Sequence, residues 1–324
     1  MILYTPAKAA TMIPVIDLTR SFSRDLADRR AVGWDIHKAC RETGFFYVSH
    51  HRIAETLMAA QLDWTAQFFA LPMDEKRAID FSRSPRRLGY EPALRQVLDE
   101  GSAPDLKESY MYAVPSTASG ERAAPVIENL WPAGLAGFRE QMLAYHAAIG
   151  GLALHLMRCI ALSLDLDENF FDAAFAETPF AVRLLHYPPQ DRVAHGNQLG
   201  AGAHTDWGGI TLLLQDEKAG LEVLNADGDW IGATPIAGTF VVNLGDMLRR
   251  WTNDLYQSTL HRVANTKSGK DRYSVATFFS PWPDTEVSCI PSCAEGRPVL
   301  YPPITAREHT AEMARRTYGG AGGK

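Results

Sequence analysis

The spacing of apolar side chains divides the chain into a helical first half and a strand-rich second half. After Pro132, apolar residues recur every three or four positions, which predicts a long helix with one buried stripe. The members of this stripe are Phe138, Met142, Tyr145, Ile149, Leu152, Leu156 and Ile160. From about residue 180, short apolar runs alternate with Gly, Pro, Asn and Asp. This texture predicts many short strands and is typical of an antiparallel barrel or jelly roll.

The N-terminal part mixes strands and helices. Aromatic and β-branched runs predict strands at residues 13–18 and 44–48, while amphipathic spacing predicts helices at 25–42 and 55–79. A further helix is expected at residues 304–318, near the end of the chain. We therefore expect a mainly β protein in which helical layers wrap around a barrel of strands.

We find no linker rich in Pro, Gly or Ser between the two halves, so the sequence predicts a single domain over residues 1–324. Within it we expect an N-terminal α/β module at 1–115 and a helical layer at 116–179. A strand core follows at 180–281, and a C-terminal segment with its helix occupies 282–324.

Composition narrows the class of protein without naming a function. Apolar residues make up 46% and charged residues 22% of 324 residues, which indicates a globular chain and excludes disordered and collagen-like sequences. The formal net charge is −6 and no basic cluster is present, so a nucleic-acid partner is not expected.

The sequence also favours a cytoplasmic location. The four cysteines form no CxxC pair, which favours reduced thiols over a disulfide framework. The first residues lack a basic stretch followed by a long apolar run, so no secretory signal is predicted. No window approaches the roughly 18 apolar residues needed to cross a bilayer, so no membrane partner is expected.

A candidate metal site lies in the strand-rich half. His204 and Asp206 are two positions apart, so in a strand both side chains project to one face, and His261 follows in a later strand region. Two imidazole nitrogens and one carboxylate oxygen on one side of a divalent metal leave positions open, as in non-haem Fe(II) oxygenases. With ten histidines, however, a His-x-Asp pair alone is more often a chance match, with a surface histidine beside a turn aspartate.

Arg272 and Ser274 form a second constellation, again two positions apart on a predicted strand. A guanidinium that points inward must meet an anion, and its fork matches a carboxylate. Together with a metal, these residues describe a pocket for an acid that also chelates metal. The alternative is an arginine paired with a carboxylate of the protein.

At this point the sequence resembles the Fe(II)/2-oxoglutarate-dependent oxygenases of the isopenicillin N synthase-like family, and the resemblance runs along most of the chain. The matching segments are IPVIDL at 13–18, TGFFYVSHH at 43–51, RLLHYPP at 183–189, AHTDWGGITLLLQD at 203–216, FVVNLGDMLRRWTND at 240–254, STLHRV at 258–263 and DRYSVATFFSP at 271–281.

The resemblance implies a double-stranded β-helix (jelly-roll) core flanked by N-terminal and C-terminal helices. It implies Fe(II) bound by His204, Asp206 and His261, with 2-oxoglutarate and O2 as co-substrates. The implied activity couples oxidative decarboxylation of 2-oxoglutarate, to succinate and CO2, with oxidation of a small molecule. Hydroxylation and desaturation are both compatible with this family.

The resemblance also implies the residues that hold 2-oxoglutarate. The carboxylate far from the iron would meet Arg272 and Ser274, with Tyr187 as a third contact. One departure from the family lies on the same strand, where plant relatives often carry Asn and this chain has Leu185. The resemblance therefore leaves open whether that strand contacts the chelating end of the cofactor.

The substrate pocket has only weak candidates in the sequence. Trp207 directly follows the His-x-Asp pair, and Tyr90, Tyr110 and Tyr112 lie where the N-terminal half would lean over the barrel mouth. Phe279 lies on the strand that carries Arg272 and could form a pocket wall. For each of these aromatic residues, packing in the core is the competing interpretation.

Three alternative functions remain open at this point. An iron oxidase of the same fold that does not use 2-oxoglutarate, such as isopenicillin N synthase or the plant ethylene-forming oxidases, shares a similar Arg-x-Ser pair. A non-catalytic ligand-binding barrel would not need intact metal residues. A zinc hydrolase would also use His and Asp ligands, but it leaves the arginine without a role. The remaining histidines, including His186, are interpreted as structural residues without partners.

Overall fold

The computed structural model describes residues 10–96, 103–115, 128–189, 198–264 and 269–318. Short strands dominate the described residues. In chain order they are β1 Val15–Asp17, β2 Phe45–Ser49, β3 Gly89–Glu91, β4 Glu108–Ala113, β5 Ala181–Tyr187, β6 Ala201–His204, β7 Ile210–Gln215, β8 Leu221–Leu224, β9 Trp230–Gly232, β10 Phe240–Leu244, β11 His261–Val263, β12 Arg272–Phe279, β13 Glu286–Val287 and β14 Ile304–Thr305.

The helices lie mainly outside the strand-rich region. They are α1 Leu26–Glu42, α2 Glu55–Phe69, α3 Met73–Ala78, α4 Phe138–Ser163, α5 Asp172–Phe175, α6 Asp246–Trp251 and α7 Ala306–Tyr318. The side chain of Asp25 caps α1 by accepting a hydrogen bond from the backbone nitrogen of Ala27. The break between α2 and α3 comes at Pro72, which precedes the first residue of α3.

Two facing sheets form the core. The large sheet has the order β1-β2-β10-β7-β12-β5-β4-β3, and the small sheet has the order β6-β11-β8-β9. All pairs in them are antiparallel except β1 with β2. This arrangement confirms the predicted jelly-roll core with helical layers. Strands from the N-terminal part lie at both edges of the large sheet, so they extend the core.

The outer face of the large sheet packs against α4, whose predicted stripe is confirmed because all seven of its residues are buried. By length and composition alone α4 is apolar enough to cross a membrane, contrary to the expectation from the sequence. However, 61% of its most apolar window is buried inside the protein. This burial is typical of the central helix of a packed core.

Alternation along β12 determines which side chains reach the interior between the sheets. Arg272, Ser274, Ala276 and Phe278 all face the space between the two sheets, because residues two apart share a face. Phe279 faces the opposite way, toward the helices. The same rule on the neighbouring strand β5 directs three further side chains inward, those of Arg183, Leu185 and Tyr187.

Candidate active site

A cavity of about 310 Å³ lies between the two sheets. Its walls come from β5, β7 and β12 of the large sheet and from β6, β8 and β11 of the small sheet. His204, Asp206 and His261 line it together with Arg272 and Ser274. The cavity therefore unites both constellations found in the sequence.

The His-x-Asp pair and the later histidine converge on one point. His204 ends β6, His261 begins β11, and the two residues are direct partners across the antiparallel pair. The Nε2 atoms of both imidazoles lie 4.0 Å from Oδ1 of Asp206. One ligand atom from each residue lies within 4.8 Å of the other two, which is the spacing of ligands around a single metal ion.

Backbone carbonyls set the orientation of both imidazoles. Nδ1 of His204 contacts the carbonyl oxygen of Gly202 at 2.8 Å, and Nδ1 of His261 contacts that of Thr259 at 3.0 Å. Because a carbonyl only accepts, Nδ1 carries the proton in each ring and Nε2 keeps a free lone pair. Both rings are thus prepared as metal ligands.

The carboxylate of Asp206 is held by its other oxygen. Oδ2 accepts hydrogen bonds from Oγ1 of Thr211 at 2.5 Å and from Nδ2 of Asn243 at 2.7 Å. Oδ1 is left facing the two imidazoles. Since all three side chains are fixed before any ligand arrives, the loss of side-chain freedom on binding is small.

Electrostatics keep His204 and Asp206 in the forms that bind metal. Burial, with a smaller contribution from the neighbouring His261, lowers the pKa of His204 to about 3, so its imidazole is neutral. Burial alone would raise the pKa of Asp206, but the two imidazoles together with Asn243 and Thr211 lower it. At neutral pH the cluster therefore presents the neutral imidazole of His204 and the carboxylate of Asp206.

The segment after Asp206 is tied to the start of α6. The backbone nitrogen of Asp246 donates to the carbonyl oxygen of Asp206 at 2.8 Å, and that of Gly245 donates to Gly209 at 2.8 Å. Gly245 is required by close approach, because a Cβ there would lie 2.3 Å from the carbonyl oxygen of Gly208. These backbone contacts set where the Asp206 side chain begins.

Arg272 and Ser274 line the end of the cavity opposite the His204, Asp206 and His261 cluster. Arg272 is fully buried, with Nε donating to the carbonyl oxygen of Lys218 at 3.2 Å and Nη2 to Oε1 of Gln215 at 2.9 Å. Its guanidinium carbon lies 4.8 Å from the centre of the Tyr187 ring, a cation–π distance. Within the described part of the chain, Arg272 therefore contacts neutral groups, and no carboxylate there forms an ion pair with it.

Two buried polar atoms at this end of the cavity lack hydrogen-bond partners among the described residues. They are Nη1 of Arg272 and Oγ of Ser274, both of which are shielded from solvent. Leaving such groups unpaired costs about 1–3 kcal/mol each, and more for a charged group. A carboxylate bound here would satisfy both, so the residues fit the far end of 2-oxoglutarate. Leu185, opposite Ser274 on β5, adds only an apolar wall.

Trp207 lies on the cavity wall. The three tyrosines that we expected there lie elsewhere: Tyr90, Tyr110 and Tyr112 are at most 1% exposed and pack in the helical core. Their hydroxyl groups donate to acceptors in that core, namely Glu108 and the carbonyl oxygens of Leu130 and Met142. The prediction that these tyrosines line the pocket is therefore wrong.

Phe279 also lies away from the cavity wall. Its ring stacks with Phe175 at 5.3 Å and meets Phe180 edge-on at 5.3 Å, both on the helical side of the large sheet. The aromatic residue of β12 that faces the cavity is its neighbour Phe278. Side chains alternate between the two faces of β12, so the rule that places Arg272 and Ser274 on one face places Phe279 on the other, away from the cavity.

Sequence reasoning missed two cations in the cavity wall, Lys107 and Arg183. Arg183 precedes Tyr187 by four residues on β5, so the same period of two that selected Tyr187 could have identified it. His186, predicted to have no partner, in fact contacts Glu108 and Asp271 at 2.7 Å each. It faces away from the cavity and stabilises the outer side of the sheet.

Comparison with known proteins agrees with this geometry. Residues 13–134 match the family described as non-haem dioxygenase in morphine synthesis N-terminal, and residues 179–281 match the 2OG-Fe(II) oxygenase superfamily. The chain is 39% identical to the 2-oxoglutarate-Fe(II) type oxidoreductase hxnY of Emericella nidulans. That alignment covers 97% of this chain and 92% of the relative.

Solved structures show the same fold with the co-substrate bound. One neighbour is a full-length protein of Neurospora crassa in complex with alpha-KG, with a TM-score of 0.84 and 31% identity over 94% of this chain and 96% of that one. The same protein has also been solved with alpha-KG and thymine. JOX2 in complex with 2OG, Fe and JA superposes with a TM-score of 0.76 and 28% identity, covering 95% of this chain and 87% of that one.

These matches explain why metal-ligating and carboxylate-binding side chains meet between two sheets. Fe(II), 2-oxoglutarate and O2 are the cofactor and co-substrates of these oxygenases, and the His-Asp-His cluster supplies a metal site for them. The chain belongs to the Fe(II)/2-oxoglutarate-dependent oxygenases and is an enzyme of that class.

Proposed function

We propose that His204, Asp206 and His261 ligate the iron, and that the enzyme uses it to hydroxylate or desaturate a small organic substrate. The observation that carries the proposal is the approach of three ligand atoms to within 4.8 Å of one another in the cavity wall. Two of the three are imidazole Nε2 atoms. The Nδ1 atom of each of these rings already forms a hydrogen bond to a backbone carbonyl oxygen. Three ligands on one side leave positions for a chelating keto acid and for O2.

We propose further that Arg272 and Ser274 bind the distal carboxylate of 2-oxoglutarate. The unpaired Nη1 of Arg272 and Oγ of Ser274 support this assignment, since both donors are buried in the same wall. Tyr187 supports the guanidinium with its ring face, and we assign its hydroxyl as an additional contact to the carboxylate. The arginine supplies charge, and its planar fork fixes the direction of the bound acid.

The protein residues then perform the tasks of holding and orienting. When bound, the Fe(II) centre supplies oxidation by O2 coupled to decarboxylation of the keto acid. Thr211 and Asn243 keep the Asp206 carboxylate charged and aimed into the cavity. The apolar walls exclude water, and Trp207 at the cavity wall provides a surface for the substrate.

The test is anaerobic titration of the protein with Fe(II) and then 2-oxoglutarate. We expect a visible absorption band from the chelate, and succinate on admission of air with substrate. His204→Ala and Asp206→Ala should lose both, and Arg272→Met should require far more 2-oxoglutarate. Arg158→Met is the matched control, because Arg158 pairs with Asp172 outside the cavity.

Full activity in either ligand variant would contradict the assignment. A protein that consumes O2 without any 2-oxoglutarate band would instead support the oxidase alternative. We also propose a cytoplasmic location, which the free state of all four cysteines supports, and a substrate that is neither nucleic acid nor membrane.

A further inference from the structure

Two cations line the cavity on the side of β5 and of the segment just before β4. They are Arg183 and Lys107, with side chains 14% and 5% exposed. Each is in contact with a carboxylate, Glu91 for the arginine and Asp105 for the lysine. Both carboxylates lie outside the described cavity lining. We call Lys107 and Arg183 the cationic wall, because positive charge faces the cavity and negative charge lies behind it.

The two carboxylates behind the wall serve as anchors. Oδ1 of Asp105 accepts a hydrogen bond from the backbone nitrogen of Gly202 at 2.9 Å, which ties it to the small sheet. Arg183 is oriented in addition by Nε, which donates to Oγ of Ser109 at 2.9 Å. The side chains of the wall are therefore fixed in direction before any ligand arrives, as an efficient binding site requires.

The contact of Lys107 with Asp105 does not fully offset the burial of the ammonium group. Burial, together with the positive charge of Arg183, lowers the pKa of Lys107 to about 8 even though Asp105 is in contact with it. A lysine that is harder to protonate than in water, despite its carboxylate, is stabilised by any further anion nearby. Such an anion can approach from the cavity, since Asp105 and the sheet occupy the other side.

The cationic wall lies apart from the arginine assigned to 2-oxoglutarate. Arg272 is opposite Tyr187 in the register of β12 and β5. Arg183 precedes Tyr187 by four residues on the same face, so their Cα atoms are roughly 13 Å apart along the strand. Its direct neighbours across the sheet are Met111 on β4 and Ala276 on β12, both apolar.

We propose that the cationic wall binds the carboxylate of an acidic substrate, so that the enzyme oxidises small organic acids with an apolar body. This inference rests on the proposed function, because the substrate must lie beside the metal residues. Nε and Nη2 of Arg183 already donate to Ser109, Glu91 and Gln96, so its Nη1 donates to the carboxylate, with Lys107 as a further donor. Met111, Leu185 and Phe278 surround the rest of the molecule.

The test measures binding to the anaerobic Fe(II)/2-oxoglutarate enzyme by calorimetry, with pairs of an acid and its primary amide. Benzoate with benzamide and 3-phenylpropionate with its amide are two such pairs, within a panel of aliphatic, aromatic and heteroaromatic scaffolds. Charge-assisted hydrogen bonds predict that the best acid binds about 10- to 100-fold more tightly than its amide. Arg183→Met and Lys107→Met should each remove most of that preference, while Arg158→Met should keep it.

A reciprocal variant separates recognition from simple structural support. Glu91→Gln removes the carboxylate behind the arginine, so binding of the acid should tighten severalfold while binding of the amide stays the same. If Arg183→Met folds poorly because Glu91 is left unpaired, the double variant Arg183→Met/Glu91→Gln replaces it with the same expectation. A structural role alone would not produce tighter binding in Glu91→Gln.

The outcomes distinguish this inference from the proposed function. Equal binding of acids and amides across the panel, with the 2-oxoglutarate band intact, would overturn the inference alone. An Arg183→Met variant that loses affinity for 2-oxoglutarate as Arg272→Met does would also overturn it, because the wall would then belong to the co-substrate. Absence of the band in the unmodified enzyme would instead overturn the proposed function.

Discussion

The hydrogen bond from Asn243 to Asp206 gives a quantitative test of how the metal residues are supported. Asn243 is 4% exposed, and its Nδ2 donates to the carboxylate at 2.7 Å. Asn243→Leu keeps the volume and removes the donor. One hydrogen bond to a charged group is worth about 1.5–3 kcal/mol. Because this bond is present before the metal binds, its effect on metal affinity comes from orienting the carboxylate, and loss of such an outer partner typically weakens metal binding by about 10- to 100-fold.

The assay is anaerobic titration with Fe(II), repeated with Mn(II) by calorimetry. Thr211→Val removes the other donor to the same oxygen and should weaken binding by a similar factor, and the double variant should weaken it more than either. Asn169→Leu, on the exposed surface, is the matched control. Metal dissociation constants within twofold of the unmodified enzyme in both single variants would refute the reasoning that these donors set the affinity.

Three further predictions concern the close approach at Gly245, the buried pair of Lys76 and Glu108, and the ionisation of Lys107. Gly245→Ala places a Cβ against Gly208 and should displace the loop after Asp206, so that metal binding falls at least tenfold in the same titration; unchanged binding would contradict the close approach. Lys76→Met removes the lysine from the buried Glu108, which keeps its contacts with His186 and Tyr90, and should cost about 1.5–3 kcal/mol in urea unfolding, and a loss below about 1 kcal/mol would show that the pair is not tightly coupled. Binding of acids should weaken as pH rises through about 8, because Lys107 is protonated only below its lowered pKa, and this step should vanish in Lys107→Met.

Local patterns predicted most of the fold and the metal cluster. The period of helices is strong in α4, and strands such as β7 and β10 are short apolar runs between turn residues, so both are visible without tertiary information. His204 and Asp206 could be paired because a spacing of two fixes a shared face wherever the strand lies. His261 was the weaker candidate, since nothing in its own neighbourhood shows that β11 pairs with β6.

The wrong predictions concern aromatic residues in strands, for which the sequence does not show which face of the strand points into the cavity. On β4, Ser109 and Met111 lie on the inner face, so Tyr110 and Tyr112 must lie on the outer one. A sequence that is apolar on both faces carries no signal for that choice. A lysine or arginine in or next to a strand is usually solvent-exposed, which is why the cationic wall was not predicted.

Contacts between segments far apart in the sequence determine the structure around α6. Arg249 to Trp251 form the end of α6. That helix begins where Gly245 meets the loop after Asp206, an approach between segments about 40 positions apart in the chain. Tertiary contact therefore decides the local structure there, and propensity alone does not.

The alternation along β12 constrains how this enzyme and its relatives change over time. One strand carries Arg272 and Ser274 for one end of the cavity, Ala276 for its middle and Phe278 for the opposite end. A single inserted or deleted residue would reverse the facing of every side chain of β12 that follows it. The side chains that now face the cavity would turn toward the helices, and Tyr273, Val275, Thr277 or Phe279 would enter the cavity instead. New specificity can therefore arise in this strand by exchanging side chains, whereas changes in length are confined to the loops.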